Sequence, residues 1–260
     1  MTIALLFPGQ GSQFVGMGRD FYDKYDQAKN VYNQLDMGLN RSLTDLIFNG
    51  TDEEIALTTN SQPAIMATSI AILRCLQYEK LINLASVSCT AGHSLGEYSS
   101  LVATESLDFK DAVKILKVRS EAMQESMPIG TGGMAAIIGS SLNQITKLLP
   151  KLNKIGKIYV ANDNADGQIV LSGEIRVIDH ICFNSKTYGI KRAIKLPVSA
   201  PFHCELIYSA KSKIRNEVQN YNFKDFKFPL ISNVEAKDGK ASDIGELLVN
   251  QVVSRVRWRE

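Results

Sequence analysis

The chain has 260 residues, of which 45% are hydrophobic and 22% are charged, with a formal net charge of +2. These values are ordinary for a globular protein and exclude a disordered or fibrous chain. The small net charge and the lack of a long block of basic residues give no indication of nucleic-acid binding.

The N-terminus contains a short apolar run, Ile3 to Phe7, that ends at Pro8 and Gly9. No basic residue precedes this run, so it is typical of a buried parallel strand and not of a signal peptide. The sequence has no stretch of the roughly 20 consecutive apolar residues that a membrane-spanning helix needs. The four cysteines are far apart in apolar surroundings. This pattern favours reduced thiols in a cytoplasmic protein without a zinc site.

The part of the chain after this strand is rich in helix-like spacing. Helices are predicted at 20–36, 41–48, 61–79 and 108–127. A strand is predicted between Leu84 and Ser94, and a helix from Leu95 to Thr104. Ser94 therefore falls where a strand passes directly into a helix.

From Met134 the pattern changes to short strands and helices in the order βαββαβ. Strands are predicted at 134–139, 156–162, 168–172 and 191–198, and helices at 141–152 and 174–188. This order predicts a ferredoxin-like unit inserted at 131–198, between outer segments 1–130 and 199–260. A helix at 203–219, a strand at 228–233 and a helix at 243–254 follow. The expected fold class is α/β.

The five residues from Gly92 to Gly96 fit the Gly-x-Ser-x-Gly pattern of a nucleophile elbow. Glycines on both sides permit a sharp turn that exposes the Ser94 hydroxyl, and a helix that begins there aims backbone N–H groups at an oxyanion. A chance glycine-serine turn is the alternative for these five residues alone. The strand predicted before Ser94 and the helix predicted after it favour a nucleophile.

A serine nucleophile needs a base, and the chain has three histidines. His93 neighbours Ser94 but is expected to point to the other side of the strand and to pack beside the site. His180 lies in a predicted helix and is expected to have no catalytic role. His203 follows a stiff proline-containing loop and is favoured as the base.

No Asp or Glu between Ser94 and His203 stands out as the group that orients the imidazole. A backbone or amide carbonyl can accept the Nδ1 proton instead and fix the tautomer. Gln251 and Asn162 are the candidates for this role.

Four motifs occur in the order and approximate spacing of a known family. They are Phe7 to Gln13 (FPGQGSQ), Gly92 to Tyr98 (GHSLGEY), Arg119 with Met123-Gln124, and Ser199 to His203 (SAPFH). The chain resembles the malonyl-CoA:acyl carrier protein transacylases, an acyltransferase family of bacterial type-II fatty-acid synthesis. The resemblance covers essentially the whole chain, including Ala161–Asn164, Gly167-Gln168, Gln251 and Val256–Trp258.

The resemblance implies an α/β hydrolase-like large subdomain with a parallel sheet, formed by 1–130 and 199–260, and a ferredoxin-like small subdomain at 131–198. It implies that Ser94 is acylated and that His203 is its base. It also implies that the backbone N–H groups of Gln10 and Leu95 form the oxyanion hole. By the same resemblance Gln251 holds the histidine, and Asn162 supports the same neighbourhood.

Arg119 is implied to select malonyl, because a guanidinium offers two parallel N–H donors to a carboxylate. From composition alone Arg119 is one charge on a helix that also carries Lys114 and Lys117, and a solvated helix face is the alternative. Phe202 resembles the bulky residue of malonyl-selecting acyltransferases, and His93 is placed with it beside the substrate.

The implied partners are malonyl-CoA and a phosphopantetheinylated acyl carrier protein, in a ping-pong reaction that needs no metal or bound cofactor. No nucleic acid or membrane partner is expected. Basic residues around the small unit can steer the acidic carrier protein or can be ordinary solvated lysines and arginines. These residues are Lys186, Lys191, Arg192 and Lys195.

The family continues a few dozen residues past Val256–Trp258, with another helix, a strand and a glycine-rich loop. We therefore expect the chain to be truncated at Glu260 and to be competent only when that end is supplied. Two other functions remain open. A hydrolase shares the elbow but would not need Arg119. An inactive remnant that only binds carrier protein would form no acyl-enzyme.

Overall fold

A computed structural model of the chain describes residues 3–198 and 200–260. Ser199, the first residue of the Ser-Ala-Pro-Phe-His motif, lies outside the described residues. The contacts divide the described chain into two compact units, one within Met1–Glu121 and Asn216–Gly245 and the other within Ala122–Arg215 and Glu246–Glu260. This division does not test the predicted insertion at 131–198, which stays a prediction.

The described residues combine strands and helices in both units, as expected for the α/β class. The strands are β1 (Ile3–Phe7), β2 (Val87–Gly92), β3 (Gly132–Ile138), β4 (Ile158–Ala165), β5 (Gln168–Glu174), β6 (Arg192–Lys195) and β7 (Leu230–Ile231). The helices are α1 (Arg19–Lys24), α2 (Asp26–Leu39), α3 (Leu43–Asn49), α4 (Asp52–Ala56), α5 (Thr58–Tyr78), α6 (Gly96–Ala103), α7 (Phe109–Glu125), α8 (Leu142–Leu152), α9 (Ile175–Phe183), α10 (Ala210–Val218) and α11 (Ala241–Gln251). None of these helices is long and apolar enough to cross a bilayer.

The first unit contains a parallel sheet with the strand order β1-β2-β7. Phe7 pairs with Gly92, so β1 and β2 end at the same edge of the sheet. Helix α2 buries Ala28, Val31 and Leu35. Because these residues are three and four positions apart, they lie on one face of the helix. The shared edge brings the loop after β1 beside the turn at Ser94.

The second unit contains an antiparallel sheet with the strand order β4-β5-β3-β6. Helix α8 begins with a capping box in which Ser141 and Gln144 satisfy each other's backbone N–H groups. Buried side chains from β3, β4, β5, α8 and α9 form one apolar core. The core residues are Ala135, Ile137, Ile145, Leu152, Ile158, Ile169, Leu171, Val177, Ile178, Ile181 and Ile190.

The segment after α11 lies along β4 in the second unit. The N–H of Val256 donates to the carbonyl of Ala161 at 2.8 Å, and the N–H of Asp163 donates to the carbonyl of Val256 at 3.0 Å. The Arg259 guanidinium reaches the Asp163 carboxylate, with Nη2 at 2.9 Å from Oδ2 and Nε at 3.1 Å from Oδ1. Asp163 is fully buried, so this pair fixes the segment that follows Gln251.

Two predicted helices end earlier or divide because of local backbone geometry. The helix predicted at 20–36 is two helices, because Tyr25 is extended with φ −122° and ψ 127°. The helix predicted at 174–188 ends at Phe183. Asn184 donates from Nδ2 to the carbonyl of His180 at 2.9 Å and so competes with the next helical turn.

The helix predicted at 203–219 is wrong at its start. His203 has a φ of 59°, which no right-handed helix contains, and α10 begins at Ala210. The predicted start at Ser61 is also wrong, since α5 begins at Thr58 and has Pro63 inside it. Helix α4 was not predicted, although Thr51 and Glu54 form the capping box that marks its start.

Three predicted strands are shorter in the structure. Between Leu84 and Ser94 only Val87–Gly92 is strand, because Asn83 caps a short 3-10 turn before it. The strands predicted at 191–198 and 228–233 are limited to β6 and β7.

We expect Arg259→Ala to lower the melting temperature by about 2–4 °C, because the buried Asp163 carboxylate loses a partner that is itself partly exposed to water. Arg257→Ala is the control, since Arg257 pairs with Glu260 at the surface and such pairs contribute little. Differential scanning calorimetry of both variants measures the effect. Equal melting temperatures for the two variants would contradict it.

Candidate active site

Ser94 lies in the turn that joins β2 to α6. Its φ is 54°, in the left-handed region, and Leu95 returns to φ −57° as the residue before the helix. The turn is closed by hydrogen bonds from the Gly96 N–H to the His93 carbonyl at 2.9 Å and from the Glu97 N–H to the Ser94 carbonyl at 3.1 Å. A strand therefore leads into Ser94 and a helix leaves it, as the sequence predicts.

Both glycines of the turn are required by close backbone approach. A Cβ atom on Gly92 would overlap the Gly96 carbonyl and the Glu97 nitrogen. A Cβ atom on Gly96 would lie 2.6 Å from the carbonyl oxygen of Phe7 and 2.8 Å from that of Pro8. Helix α6 thus begins directly against the end of β1, and only glycine fits at either position.

The loop after β1 lies against the same turn. The His93 N–H donates to the Phe7 carbonyl at 2.9 Å, and a Cβ atom on Gly9 would be 2.7 Å from Nδ1 of His93. Gln10, half-buried in this loop, makes a long contact from Nε2 to the Thr58 hydroxyl at 3.4 Å. Gln10 and His93 are therefore in the segments around Ser94, while their roles stay predictions.

Arg119 reaches Ser94 from α7. Its Nη2 donates to the Ser94 hydroxyl oxygen at 3.1 Å, and its Nη1 donates to Oε1 of Gln62 at 2.6 Å. Arg119 is 0% exposed, whereas Lys114 and Lys117 on the same helix are exposed. The alternative of a solvated helix face is thus wrong for Arg119 and holds for the two lysines.

The buried guanidinium of Arg119 has compensating groups around it. Burial lowers the pKa of Arg119, while the nearby Tyr98 and Glu97 raise it. Glu97 is 0% exposed, and the Tyr98 ring centroid lies 5.6 Å from the guanidinium carbon. Burial also raises the pKa of Tyr98 to about 12, so its hydroxyl stays neutral near pH 7. The guanidinium remains charged, because its normal pKa is far above neutrality.

His203 lies in the second unit, in a left-handed turn with φ 59°. Its Nδ1 is 2.9 Å from the main-chain carbonyl oxygen of Gln251, and its own N–H donates to the Val252 carbonyl at 3.1 Å. A carbonyl can only accept, so Nδ1 carries the proton and Nε2 is the basic nitrogen. Gln251, a sequence candidate for a neutral orienting group, therefore contacts the imidazole through its main chain, while its role stays a prediction.

The residues around His203 are buried. Phe202 and His203 are each 5% exposed. Cys204 donates from Sγ to the Pro201 carbonyl at 3.1 Å, and burial raises the pKa of its thiol to about 11. Asn162 lies in β4, bridged to Val256. Its effect on the histidine stays a prediction.

Two residues that contact the turn or Arg119 were not singled out from the sequence, Gln62 and Asn233. Gln62 is 1% exposed, and Asn233 accepts a hydrogen bond from the Ser94 N–H at 2.7 Å. No local pattern marks either residue, because each reaches the site through tertiary contacts. Within residues 3–198 and 200–260 no group of three or more His, Cys, Asp or Glu side chains could hold a metal ion.

All the residues described in this section lie within the segment that matches one protein-family model. A model of the acyl transferase domain matches residues 4–260. The chain belongs to the acyl transferase domain family. The family resemblance given by the four motifs is thereby confirmed, and the chain is an acyltransferase.

Named members of the acyl transferase domain family are similar along nearly the whole chain. The malonyl CoA-acyl carrier protein transacylase of Bacillus subtilis (strain 168) is 43% identical over 260 residues, which are 99% of this chain and 81% of that protein. The acyl-carrier-protein-S-malonyltransferase of Bartonella henselae has a TM-score of 0.95 at 39% identity, over 99% of this chain and 82% of that one. A malonyl-transacylase solved in complex with its type II polyketide synthase acyl carrier protein has a TM-score of 0.93 at 36% identity, over 99% and 83%.

We expect Gly92→Ala to slow sulfonylation of the Ser94 hydroxyl at least ~100-fold, because the added methyl group displaces the turn. Gly239→Ala is the matched control, since the nearest atom to its Cβ would be at an ordinary 3.5 Å. The measurement is the rate at which a serine-directed sulfonyl fluoride labels each folded protein. Labelling of Gly92→Ala at the parent rate would contradict the tight fit.

Proposed function

We infer that the chain transfers malonyl from malonyl-CoA to the phosphopantetheine thiol of an acyl carrier protein, as a step of fatty-acid biosynthesis. The family match and the names of the relatives support this activity. The relative solved with its carrier protein supports the acceptor. The chain is therefore an S-malonyltransferase with Ser94 as the proposed point of attachment.

One observation carries the substrate class, namely the buried guanidinium of Arg119 beside the Ser94 hydroxyl, 3.1 Å away. Burying a charge is unfavourable unless it gains strong partners. A carboxylate is such a partner, because it accepts two parallel hydrogen bonds from a guanidinium. The site has Ser94 and Arg119 adjacent to each other. It therefore fits a short acyl thioester such as malonyl, in which one CH2 group separates the thioester carbonyl from a free carboxylate.

The proposed reaction has two half-reactions. The Ser94 hydroxyl transfers its proton to Nε2 of His203 and attacks the thioester carbon, the carbon–sulfur bond breaks, and coenzyme A leaves with the proton. The carrier thiol then gives its proton to His203, attacks the malonyl ester, and returns Ser94 to its hydroxyl form. In this proposal the Ser94 oxygen, which accepts from Arg119, is the attacking atom, and its own hydrogen is the proton given to His203.

We propose that the N–H groups of Gln10 and Leu95 stabilise the oxyanion of each tetrahedral intermediate. The position of Leu95 at the start of α6 supports this role, because the first N–H groups of a helix have no partner within the helix. The Gln251 carbonyl is proposed to hold the imidazole, with Asn162 supporting the same segment. Phe202 is proposed to limit the size of the acyl group, and His93 to line the substrate site.

We further propose an α/β hydrolase-like large subdomain at 1–130 and 199–260 and a ferredoxin-like one at 131–198. The order βαββαβ and the sheet order β4-β5-β3-β6 support the second assignment.

We also propose that the protein acts in the cytoplasm, which agrees with its four free cysteines. Of the basic residues considered for carrier docking, Lys195 forms an ion pair with Asp179 at 2.7 Å.

The first test is formation and discharge of the acyl-enzyme. Incubation with malonyl-CoA is expected to add one malonyl group, detected by intact-protein mass spectrometry, and addition of carrier protein is expected to remove it. Ser94→Ala is the control that should carry no adduct. An adduct lost to water at the same rate without carrier protein would indicate a hydrolase, and no adduct at all would indicate an inactive remnant.

The second test concerns Arg119. Loss of two charge-assisted hydrogen bonds of about 1.5 kcal/mol each predicts a roughly 100-fold lower kcat/KM for malonyl-CoA in Arg119→Ala. Acetyl-CoA has no carboxylate, so its kcat/KM should change only a few-fold. Lys117→Ala, an exposed lysine on the same helix, is the matched control. Equal losses for both substrates would refute the assigned role.

A further inference from the structure

Asn233 is a buried polar residue that the reaction described above does not use. It lies two residues after β7, whose Leu230 and Ile231 pair with Thr90 and Ala91 of β2. Asn233 is 4% exposed. Its position at the end of the sheet brings its side chain to the turn that carries Ser94.

The Asn233 carboxamide joins the two sides of this turn. Its Oδ1 accepts from the Ser94 N–H at 2.7 Å, and its Nδ2 donates to the Gly92 carbonyl at 2.7 Å. Its own backbone N–H donates to Oε1 of the buried Glu97 at 3.2 Å. The orientation of the amide is determined by its neighbours, since one is a donor and the other an acceptor.

These contacts act on a strained residue. A non-glycine residue in the left-handed region costs about 1–3 kcal/mol and persists only where its surroundings fix it. Ser94 has such a backbone, with φ 54°. One amide side chain that bonds the N–H of Ser94 and the carbonyl two residues earlier opposes relaxation of this turn.

The same contacts decide where the Ser94 N–H points. Because it donates to Asn233 inside the protein, it is directed away from the substrate side of the turn. The next N–H along the chain, that of Leu95, is then the one at the start of α6 that is left for the oxyanion.

We propose that Asn233 is a positioning residue for acylation: its carboxamide holds Ser94 in the left-handed turn and thereby aligns the hydroxyl and the Leu95 N–H. This inference rests on the proposed acyl transfer through Ser94. An aspartate could not replace the amide, because its carboxylate has no donor for the Gly92 carbonyl. It would also place a negative charge beside Glu97 and beside the developing oxyanion.

Asn233→Asp is the sharpest variant, since it keeps the size of the side chain and the acceptor for the Ser94 N–H. We expect the maximal rate of malonyl-enzyme formation to fall about 100-fold, while the malonyl-CoA concentration that gives half this rate changes less than about threefold. Labelling of Ser94 by phenylmethanesulfonyl fluoride, which needs neither malonyl nor coenzyme A, should slow in parallel. A loss caused only by weaker substrate binding would leave this labelling unchanged.

Asn153→Asp is the matched control. Asn153 also accepts from a backbone N–H, that of Ile158 at 3.2 Å, and donates to a backbone carbonyl, that of Leu149 at 3.0 Å. It lies at the end of α8, in the second unit, and its change should leave both rates within about twofold. Circular dichroism and melting temperature establish that each variant is folded, and Asn233→Ala replaces Asn233→Asp if the latter is not.

The outcomes separate the two proposals. Parent protein that forms no malonyl adduct, with slower sulfonylation of the Asn233 variant, would overturn the proposed function and support the positioning role. Normal malonylation of the parent together with an unchanged rate in the folded Asn233 variant would overturn the positioning role alone. Failure of both Asn233 variants to fold would also overturn it, because Asn233 would then be a folding residue.

Discussion

Helix α6 begins in direct backbone contact with the ends of β1 and β2, and the geometry around Ser94 depends on this close approach. The fit leaves no room for a Cβ atom at Gly92 or Gly96, and Ser94 between them has a left-handed backbone. Such a turn survives because several hydrogen bonds converge on it, including those of Asn233. The hydroxyl is therefore held on a rigid element at the edge of a parallel sheet, where reactive groups of α/β proteins commonly lie.

The second constraint is the buried charge of Arg119. The guanidinium is surrounded by the Gln62 amide, the Tyr98 ring and the buried Glu97, which together offset part of the desolvation that lowers its pKa. Its Nη2 donates to the Ser94 oxygen. A positive charge held there is the basis of the proposed recognition of an acidic acyl group.

In the second unit, the backbone and the ring of His203 are also held in place by hydrogen bonds. His203 too has a left-handed backbone, fixed by the Val252 carbonyl, while the Gln251 carbonyl fixes the ring. Both contacts come from main-chain carbonyl groups at the end of α11. The pair formed by Asp163 and Arg259 fastens the following segment to β4. A carbonyl is neutral and does not titrate, so the ring is oriented without a buried acid.

The sequence by itself determined the α/β class, the strand and helix on either side of Ser94, and the family, because these follow from local periodicity and from motifs that are contiguous in the chain. It did not determine that Tyr25 divides a helix or that His203 precedes α10, since both depend on a backbone conformation that the residue types permit but do not require. Only the tertiary structure decided that Arg119 is buried while Lys117 is not, and that Gln62 and Asn233 reach the site. These contacts join residues from 25 to 139 positions apart, and no local pattern records which distant groups the folded chain will bring within hydrogen-bond distance.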